Sequence, residues 1–226
     1  MAHSFEGAQY LRQVTRTELA ASTGAVAVVG EPNVFCCHDV RVSRSFATVP
    51  LMQAIVDQLT SLANDFDARV RATPADAWGN QSPCEDWTAR DVVVHLAGNY
   101  NRLSGHHQPI GDEENIVESW ASAKARLEHM MTGDLSVEFE SSFGKMPMSM
   151  FLGRFISTDT LVHTFDLARA VGGDEHLNQD AVAMAFSGLK PMGDGIRRPG
   201  AFGAATPCAD DAPLQTQFLC HIGRPV

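Results

Sequence analysis

Residues 88–103 read TARDVVVHLAGNYNRL, a stretch with the pattern of an amphipathic helix. Its apolar side chains recur every three or four residues and therefore fall on one helix face. Thr88 is a favourable N-cap, and Asp91, three residues later, completes a capping-box pattern. The sequence thus predicts a helix that begins after Thr88, ends at Gly105 and carries His95 on its apolar side.

The same helical period recurs on both sides of this stretch. Four further helices are predicted, from Pro50 to Thr73, Glu113 to Met131, Met148 to Ala170 and Asn178 to Leu189. Residues 137–140 alternate in polarity and predict a strand, paired with residues 146–150 across Gly144. Residues 214–222 suit either a short closing helix or a strand. Since short connections favour antiparallel neighbours, we expect a mainly α fold, an antiparallel four-helix bundle with additional short helices and a small β-hairpin.

The first 45 residues differ from the rest of the chain. They contain no sustained helical period, and their basic and acidic residues cancel. The formal net charge of −10 therefore belongs to the later residues. We expect residues 1–45 to be a poorly ordered N-terminal extension and residues 46–226 to form the bundle domain.

Composition excludes several classes of partner. An acidic chain lacks the clustered Lys and Arg that bind nucleic acid or an anionic membrane. No apolar run approaches the roughly 20 residues that span a bilayer. The five cysteines are odd in number and show no C-x-x-C spacing, which is typical of a reduced, cytoplasmic protein rather than a disulfide scaffold.

One predicted helix carries a candidate pair of metal ligands. Asp159 and His163 are four residues apart, so both side chains lie on one helix face and can reach a single ion. The same spacing also occurs in hydrogen-bonded pairs on helix surfaces. His95 supplies a third candidate, although a histidine on an apolar face is also commonly a core residue bonded to backbone carbonyls. If the two helices pack together, the three residues form a triad with open positions, suited to zinc or another divalent ion.

Three motifs carry a family resemblance. Residues 83–96, PCEDWTARDVVVHL, resemble the P-C-x-x-W-[TS]-x-x-D-[LV]-x-x-H-[LV] segment of the DinB-like superfamily, in the branch of the mycothiol-dependent maleylpyruvate isomerase N-terminal domain. Residues 161–170, LVHTFDLARA, resemble that branch's V-H-x-W-D-L-A-R-A segment, with Phe165 in place of the usual tryptophan. Residues 218–225, FLCHIGRP, are similar to its F-x-x-x-x-G-R-x-P tail. The resemblance covers residues 48–226 and leaves the N-terminal extension unmatched.

The resemblance implies a DinB/YfiT-like bundle that holds a divalent metal ion, commonly zinc. Its ligands would be a histidine of the second helix and an acid-x-x-x-His pair of a later one, which are His95, Asp159 and His163 here. The isomerase has glutamate at the acid position. The side chain of Asp159 is shorter by one methylene, which affects the identity of the bound metal more than metal binding itself. Asp166, three residues past His163, is expected to support the site by orienting the His163 ring or by capping a neighbouring group. Cys84, eleven residues before His95 and about three helical turns away, is expected to be structural.

The resemblance also implies thiol chemistry. In this superfamily the metal often activates the sulfur of a low-molecular-weight thiol such as mycothiol, here a possible cosubstrate of a transferase or isomerase with an electrophilic substrate. The isomerase carries an additional C-terminal α/β domain that this sequence lacks, so maleylpyruvate isomerisation is not carried over. A non-catalytic metal-binding or stress-response protein and a metal-dependent hydrolase remain alternatives. The protein is expected to be a monomer or homodimer.

Overall fold

The computed structural model describes residues 11–12, 48–112, 115–141, 144–197 and 202–226. The predicted poorly ordered extension over residues 1–45 lies outside these residues, apart from the strand β1 (Leu11–Arg12). The described helices are α1 (Thr48–Ala72), α2 (Ala89–Leu103), α3 (Ile116–Met130), α4 (Met148–Phe151), α5 (Ser157–Val171), α6 (Gln179–Leu189) and α7 (Leu214–His221). A π-helical turn, Leu152–Ile156, joins α4 to α5, and a 3₁₀ helix, Lys190–Ile196, follows α6.

Four of the helices pack in a ring. Helix α1 contacts α3 and α5, and α2 contacts the same two helices from the other side. This closed set of neighbours is the predicted four-helix bundle, and the mainly α fold is confirmed. Its centre is filled by side chains from the predicted apolar stripes, which are fully buried: Leu59, Phe66, Leu96, Tyr100, Trp120 and Leu167. Leu51, an apolar residue in the first turn of α1, is instead 63% exposed. The buried residues of this helix begin only later, at Leu59.

Helices α6 and α7 cover the outer side of α5. Leu161 and Phe165 of α5 pack with Phe186 of α6 and Phe218 of α7 in a second apolar cluster. Residues 214–222, predicted as helix or strand, are therefore helical over Leu214–His221. In this way α5 is covered on two sides, which explains why residues 160–168 are buried without a break.

The starts of α2 and α3 follow from their capping residues. The capping box predicted for α2 is confirmed, since Thr88 and Asp91 exchange side-chain and backbone hydrogen bonds. Residue 113, near which α3 was predicted to begin, lies outside the described residues, and the N-cap of the helix is Asn115. Its side chain accepts hydrogen bonds from the backbone N–H groups of Val117 and Glu118, so the helix begins at Ile116.

The predicted hairpin is confirmed, but its second strand begins at Gly144, which was predicted as the turn, and ends before residue 150. Strand β2 (Glu138–Ser141) pairs antiparallel with β3 (Gly144–Pro147), and β1 pairs with the other edge of β2. The second strand was expected to extend to Met150, but helix α4 begins at Met148. The backbone N–H of Met148 still bonds the carbonyl of Val137, and the chain enters α4 directly after the N-cap residue Pro147. Within the described ranges, no helix is both long and apolar enough to cross a membrane.

Candidate metal centre

The three predicted metal ligands meet where α2 packs on α5. His95 lies on α2, whereas Asp159 and His163 lie one turn apart on α5. Nε2 of His95 is 3.3 Å from Oδ2 of Asp159, and Nε2 of His163 is 3.3 Å from Oδ1 of the same carboxylate. One ligand atom from each residue lies within 4.8 Å of the other two. The helix period and the packing thus bring the predicted residues together, while metal binding itself stays a prediction.

The triad is buried on one side and open on the other. The His163 side chain is 8% exposed, whereas those of His95 and Asp159 are about one-third exposed. The two imidazole rings meet edge to face, with centroids 4.9 Å apart. A small molecule in solution can therefore approach the cluster from the side of His95 and Asp159, and His163 forms its floor.

Asn99 is a member of the cluster that the sequence analysis did not identify. Its Nδ2 donates to Oδ2 of Asp159 at 2.9 Å and lies 3.0 Å from Nε2 of His95. Arg102 in turn donates to Oδ1 of Asn99. Because Asn99 follows His95 by one helical turn, the i, i+4 rule that linked Asp159 to His163 could have found it.

Behind the triad, His163 rests on a buried ion pair. Its Nδ1 is 2.9 Å from Oδ2 of Asp166, whose side chain is fully buried. Arg224 donates from Nε to Oδ1 of Asp166 at 2.7 Å and from Nη2 to Oδ2 at 2.9 Å. Asp166 therefore contacts the His163 ring, and its charge is compensated by an arginine of the C-terminal tail. Because Nδ1 of His163 contacts the Asp166 carboxylate, the other ring nitrogen, Nε2, faces Asp159 and is the one that can bind a metal ion.

Cys84 belongs to the same buried network. Its thiol donates to Oδ2 of Asp166 at 3.2 Å, and Nη2 of Arg224 donates to its sulfur, also at 3.2 Å. The distance of three helical turns inferred from the sequence is wrong, because α2 begins only at Ala89. The residues before it form a loop, in which Ser82 N–H bonds the carbonyl of Trp87 and Asp86 adopts a left-handed conformation with φ 62°.

That loop also places Trp87 over the triad. The indole ring lies 4.8 Å from the His95 ring and 5.7 Å from the His163 ring, centroid to centroid, and is stacked on the latter. Trp87 directly precedes the N-cap Thr88. In the structure the side chain forms an aromatic wall beside both imidazoles.

The charges of the cluster are strongly coupled. Burial acts to raise the pKa of Asp159, but the two imidazoles outweigh it and hold that pKa well below its ordinary value. For His163, burial opposes the charged form, but Asp159 and Asp166 raise the pKa well above its ordinary value. Despite burial, hydrogen bonds from His163 and Arg224 lower the pKa of Asp166 to about 2. Both shifts favour an ionised Asp159 beside a protonated His163 when no metal is bound.

Part of this site lies in a segment that matches a known protein family. Residues 59–115 match the family described as Mycothiol maleylpyruvate isomerase N-terminal domain. The predicted family resemblance is confirmed. The matched segment contains His95 and the loop with Cys84 and Trp87. Asp159, His163 and Asp166 lie beyond it, so their membership of the site rests on the geometry above.

Two relatives from Mycobacterium tuberculosis extend the similarity along the chain. "Uncharacterized protein MT0763" of strain CDC 1551 / Oshkosh and "Uncharacterized protein Rv0738" of strain ATCC 25618 / H37Rv are each 27% identical over 169 residues. Each alignment covers 71% of this chain and 92% of the relative. No solved structure matches the chain at a significant level.

Proposed function

We propose that the protein binds one divalent metal ion, zinc being the expected one, through His95, Asp159 and His163. The bound ion would serve a transferase or isomerase reaction in which the sulfur of a low-molecular-weight thiol, such as mycothiol, attacks an electrophilic substrate and the thiol loses its proton. The observation that carries this proposal is the convergence of three ligand atoms, contributed by two different helices, within 4.8 Å of one another. The match to the mycothiol-related family supports the choice of thiol.

The donor set fits a catalytic zinc site. Two imidazole nitrogens and one carboxylate oxygen are a common set of three protein ligands that leaves a coordination position open. The fit also extends to the support behind it, because a ligating histidine usually donates its other ring N–H to a carboxylate, as His163 does to Asp166. A divalent ion held in such a set is a Lewis acid that lowers the pKa of a thiol or a water molecule.

The surrounding residues define how a substrate would enter. Trp87 closes one side of the cluster and offers an apolar face, while the partly exposed His95 and Asp159 mark the open side. Asn99 donates a hydrogen bond to Oδ2 of Asp159, which restrains the orientation of that carboxylate. Cys84 and Arg224 stay behind His163, bonded to Asp166, and thus on the buried side of the ring.

Metal content provides the first test. We expect the purified protein to hold about one zinc per chain by elemental analysis, and the His95→Ala, Asp159→Ala and His163→Ala variants to lose it. Asp159→Glu, which introduces the acid found in the isomerase, should retain metal. His107→Ala is the matched control, because this exposed histidine lies outside the cluster. Unchanged metal in the three alanine variants would contradict the proposal.

Turnover then separates the possible functions. With mycothiol and an electrophile such as 1-chloro-2,4-dinitrobenzene, we expect product formation that requires the thiol and disappears in the His163→Ala variant. Activity toward ester substrates without any thiol would instead identify a metal-dependent hydrolase. Stoichiometric metal without turnover on either kind of substrate would identify a non-catalytic metal-binding protein.

A further inference from the structure

A second group of cysteines lies away from the metal centre, where the segment before α7 folds back on that helix. Thr206 N–H donates to the carbonyl of Cys220 at 2.9 Å, and Thr206 Oγ1 donates to the carbonyl of Arg224 at 3.4 Å. The thiol of Cys220 is 3.7 Å from the carbonyl oxygen of Pro207. Because this carbonyl belongs to the residue before Cys208, the sulfur of Cys220 lies close to the backbone of Cys208.

The two cysteines differ in exposure and line one cavity. Cys208 is exposed, whereas Cys220, in the last turn of α7, is buried. Both face a cavity of about 370 Å³ that is also lined by Phe186, Lys190 and His221. Within the part of the chain that the structure describes, Nε2 of His221 is buried there without a hydrogen-bond partner.

We propose that Cys208 and Cys220 form a reversible dithiol–disulfide site that reacts with low-molecular-weight disulfides. The deprotonated sulfur of Cys208 attacks one sulfur of the disulfide, whose S–S bond breaks and releases one thiol. The deprotonated sulfur of Cys220 then attacks the Cys208 sulfur and releases the second thiol. The protein loses two electrons and two protons, which end on the two released thiols, so the external disulfide is the oxidant.

The exposure of the two residues fits this order of steps. A dissolved disulfide can reach Cys208 but not the buried Cys220, so the first attack falls on the exposed residue. Cys220 lies beside it and serves as the resolving thiol. Cys208 precedes α7 in an irregular segment, where the backbone can adjust to disulfide geometry more readily than within a helix.

The surroundings of Cys208 disfavour its deprotonated form. The hydrogen bond with Cys220 raises the pKa of Cys208, and the negative charge of Asp210 acts in the same direction. Since the deprotonated sulfur is the nucleophile, we expect the reaction rate to increase as the pH rises. These properties indicate a site that follows the thiol–disulfide balance of its surroundings rather than a fast peroxide sensor. The proposal is independent of metal binding.

Peptide mapping can test the site directly with glutathione disulfide as the probe. Trypsin does not cleave before proline, so both cysteines fall in the single peptide 198–226. After equilibration with the probe and alkylation, we expect this peptide to lack both alkyl groups and glutathione. Cleavage before Asp210 by endoproteinase Asp-N should then give two fragments joined by the disulfide, which separate on reduction.

Two variants serve as matched controls. In Cys220→Ala the resolving thiol is absent, so we expect Cys208 to retain one glutathione. In Cys208→Ser, an exposed change that should leave folding intact, we expect peptide 198–226 to remain free of glutathione. The proposal is overturned if the wild-type peptide stays reduced or keeps glutathione on Cys208, or if Cys220 reacts equally well in the Cys208→Ser variant.

Discussion

Arg224 and Asp166 form a two-point ion pair in the interior of the protein, with N–O distances of 2.7 and 2.9 Å. The side chain of Asp166 is fully buried and that of Arg224 is 8% exposed. The pair joins the C-terminal tail to α5, and it stands directly behind the imidazole of His163. A residue near the end of the sequence thus supports a histidine of the candidate metal centre through a single intervening carboxylate.

Replacing Arg224 by Gln should destabilise the protein strongly. The substitution leaves Asp166 charged, buried and without its cation, and breaking such a pair typically costs about 3–5 kcal/mol. Urea unfolding followed by circular dichroism would measure the loss. Arg71→Gln is the control, since it removes an exposed ion pair with Asp67 and should leave the midpoint nearly unchanged. Equal effects of the two substitutions would show that the buried pair contributes no more than a surface one.

Asp166→Asn should weaken metal binding without removing a ligand. The neutral amide no longer provides the anionic acceptor for Nδ1 of His163, so ring orientation and basicity are both less favourable. Loss of such a supporting carboxylate typically lowers metal affinity about 10–100-fold. Competition with a chromophoric zinc chelator would measure the change, with circular dichroism confirming the fold. Asp174→Asn, an exposed carboxylate paired with Arg69, should bind zinc like the wild type.

Metal affinity should increase with pH. In the metal-free protein the pKa of His163 is raised well above its ordinary value, so at neutral pH the ring is protonated and its Nε2 cannot bind an ion. The pKa of Asp159 is held well below its ordinary value, so this carboxylate is already ionised. Displacing the His163 proton should make affinity rise about tenfold per pH unit until the pH exceeds the pKa of the ring.

Calorimetric titration with zinc in buffers of different ionisation enthalpy would count the released protons. We expect at least one proton for each bound ion at neutral pH, and a smaller number in alkaline buffer. An affinity that is independent of pH, with no proton release, would mean that His163 is neutral in the metal-free protein or does not bind the metal.

The helices and the triad could be predicted because they depend on local spacing. Thr88 and Asp91 are three residues apart, so their capping box is visible in the sequence. Asp159 and His163 are separated by one helical turn, and His95 was a third candidate on an apolar helix face that the resemblance also indicated. The packing of α2 on α5 brings all three residues together.

The supporting residues could not be predicted because their contacts depend on irregular segments. Arg224 reaches Asp166 across 58 residues, and Cys84 reaches it across 82. No period relates residues so far apart when one of them lies in a loop or tail. Trp87 was missed for a similar reason, since its position over the triad depends on the left-handed turn at Asp86.

The conformation of the C-terminal tail should be sensitive to substitution of Gly223, the residue before Arg224. Gly223 has φ 78°, and a Cβ at this position would lie 2.5 Å from the carbonyl oxygen of Ala204. Gly223→Ala should therefore destabilise the protein through both backbone strain and the clash, and it should lower zinc affinity by displacing the Arg224 guanidinium from Asp166. Gly188→Ala is the matched control, because this position in α6 has open space and alanine favours helix by about 0.5–1 kcal/mol. Thermal unfolding of the two variants should shift in opposite directions, and a stable Gly223→Ala variant with full zinc affinity would show that the tail does not support His163.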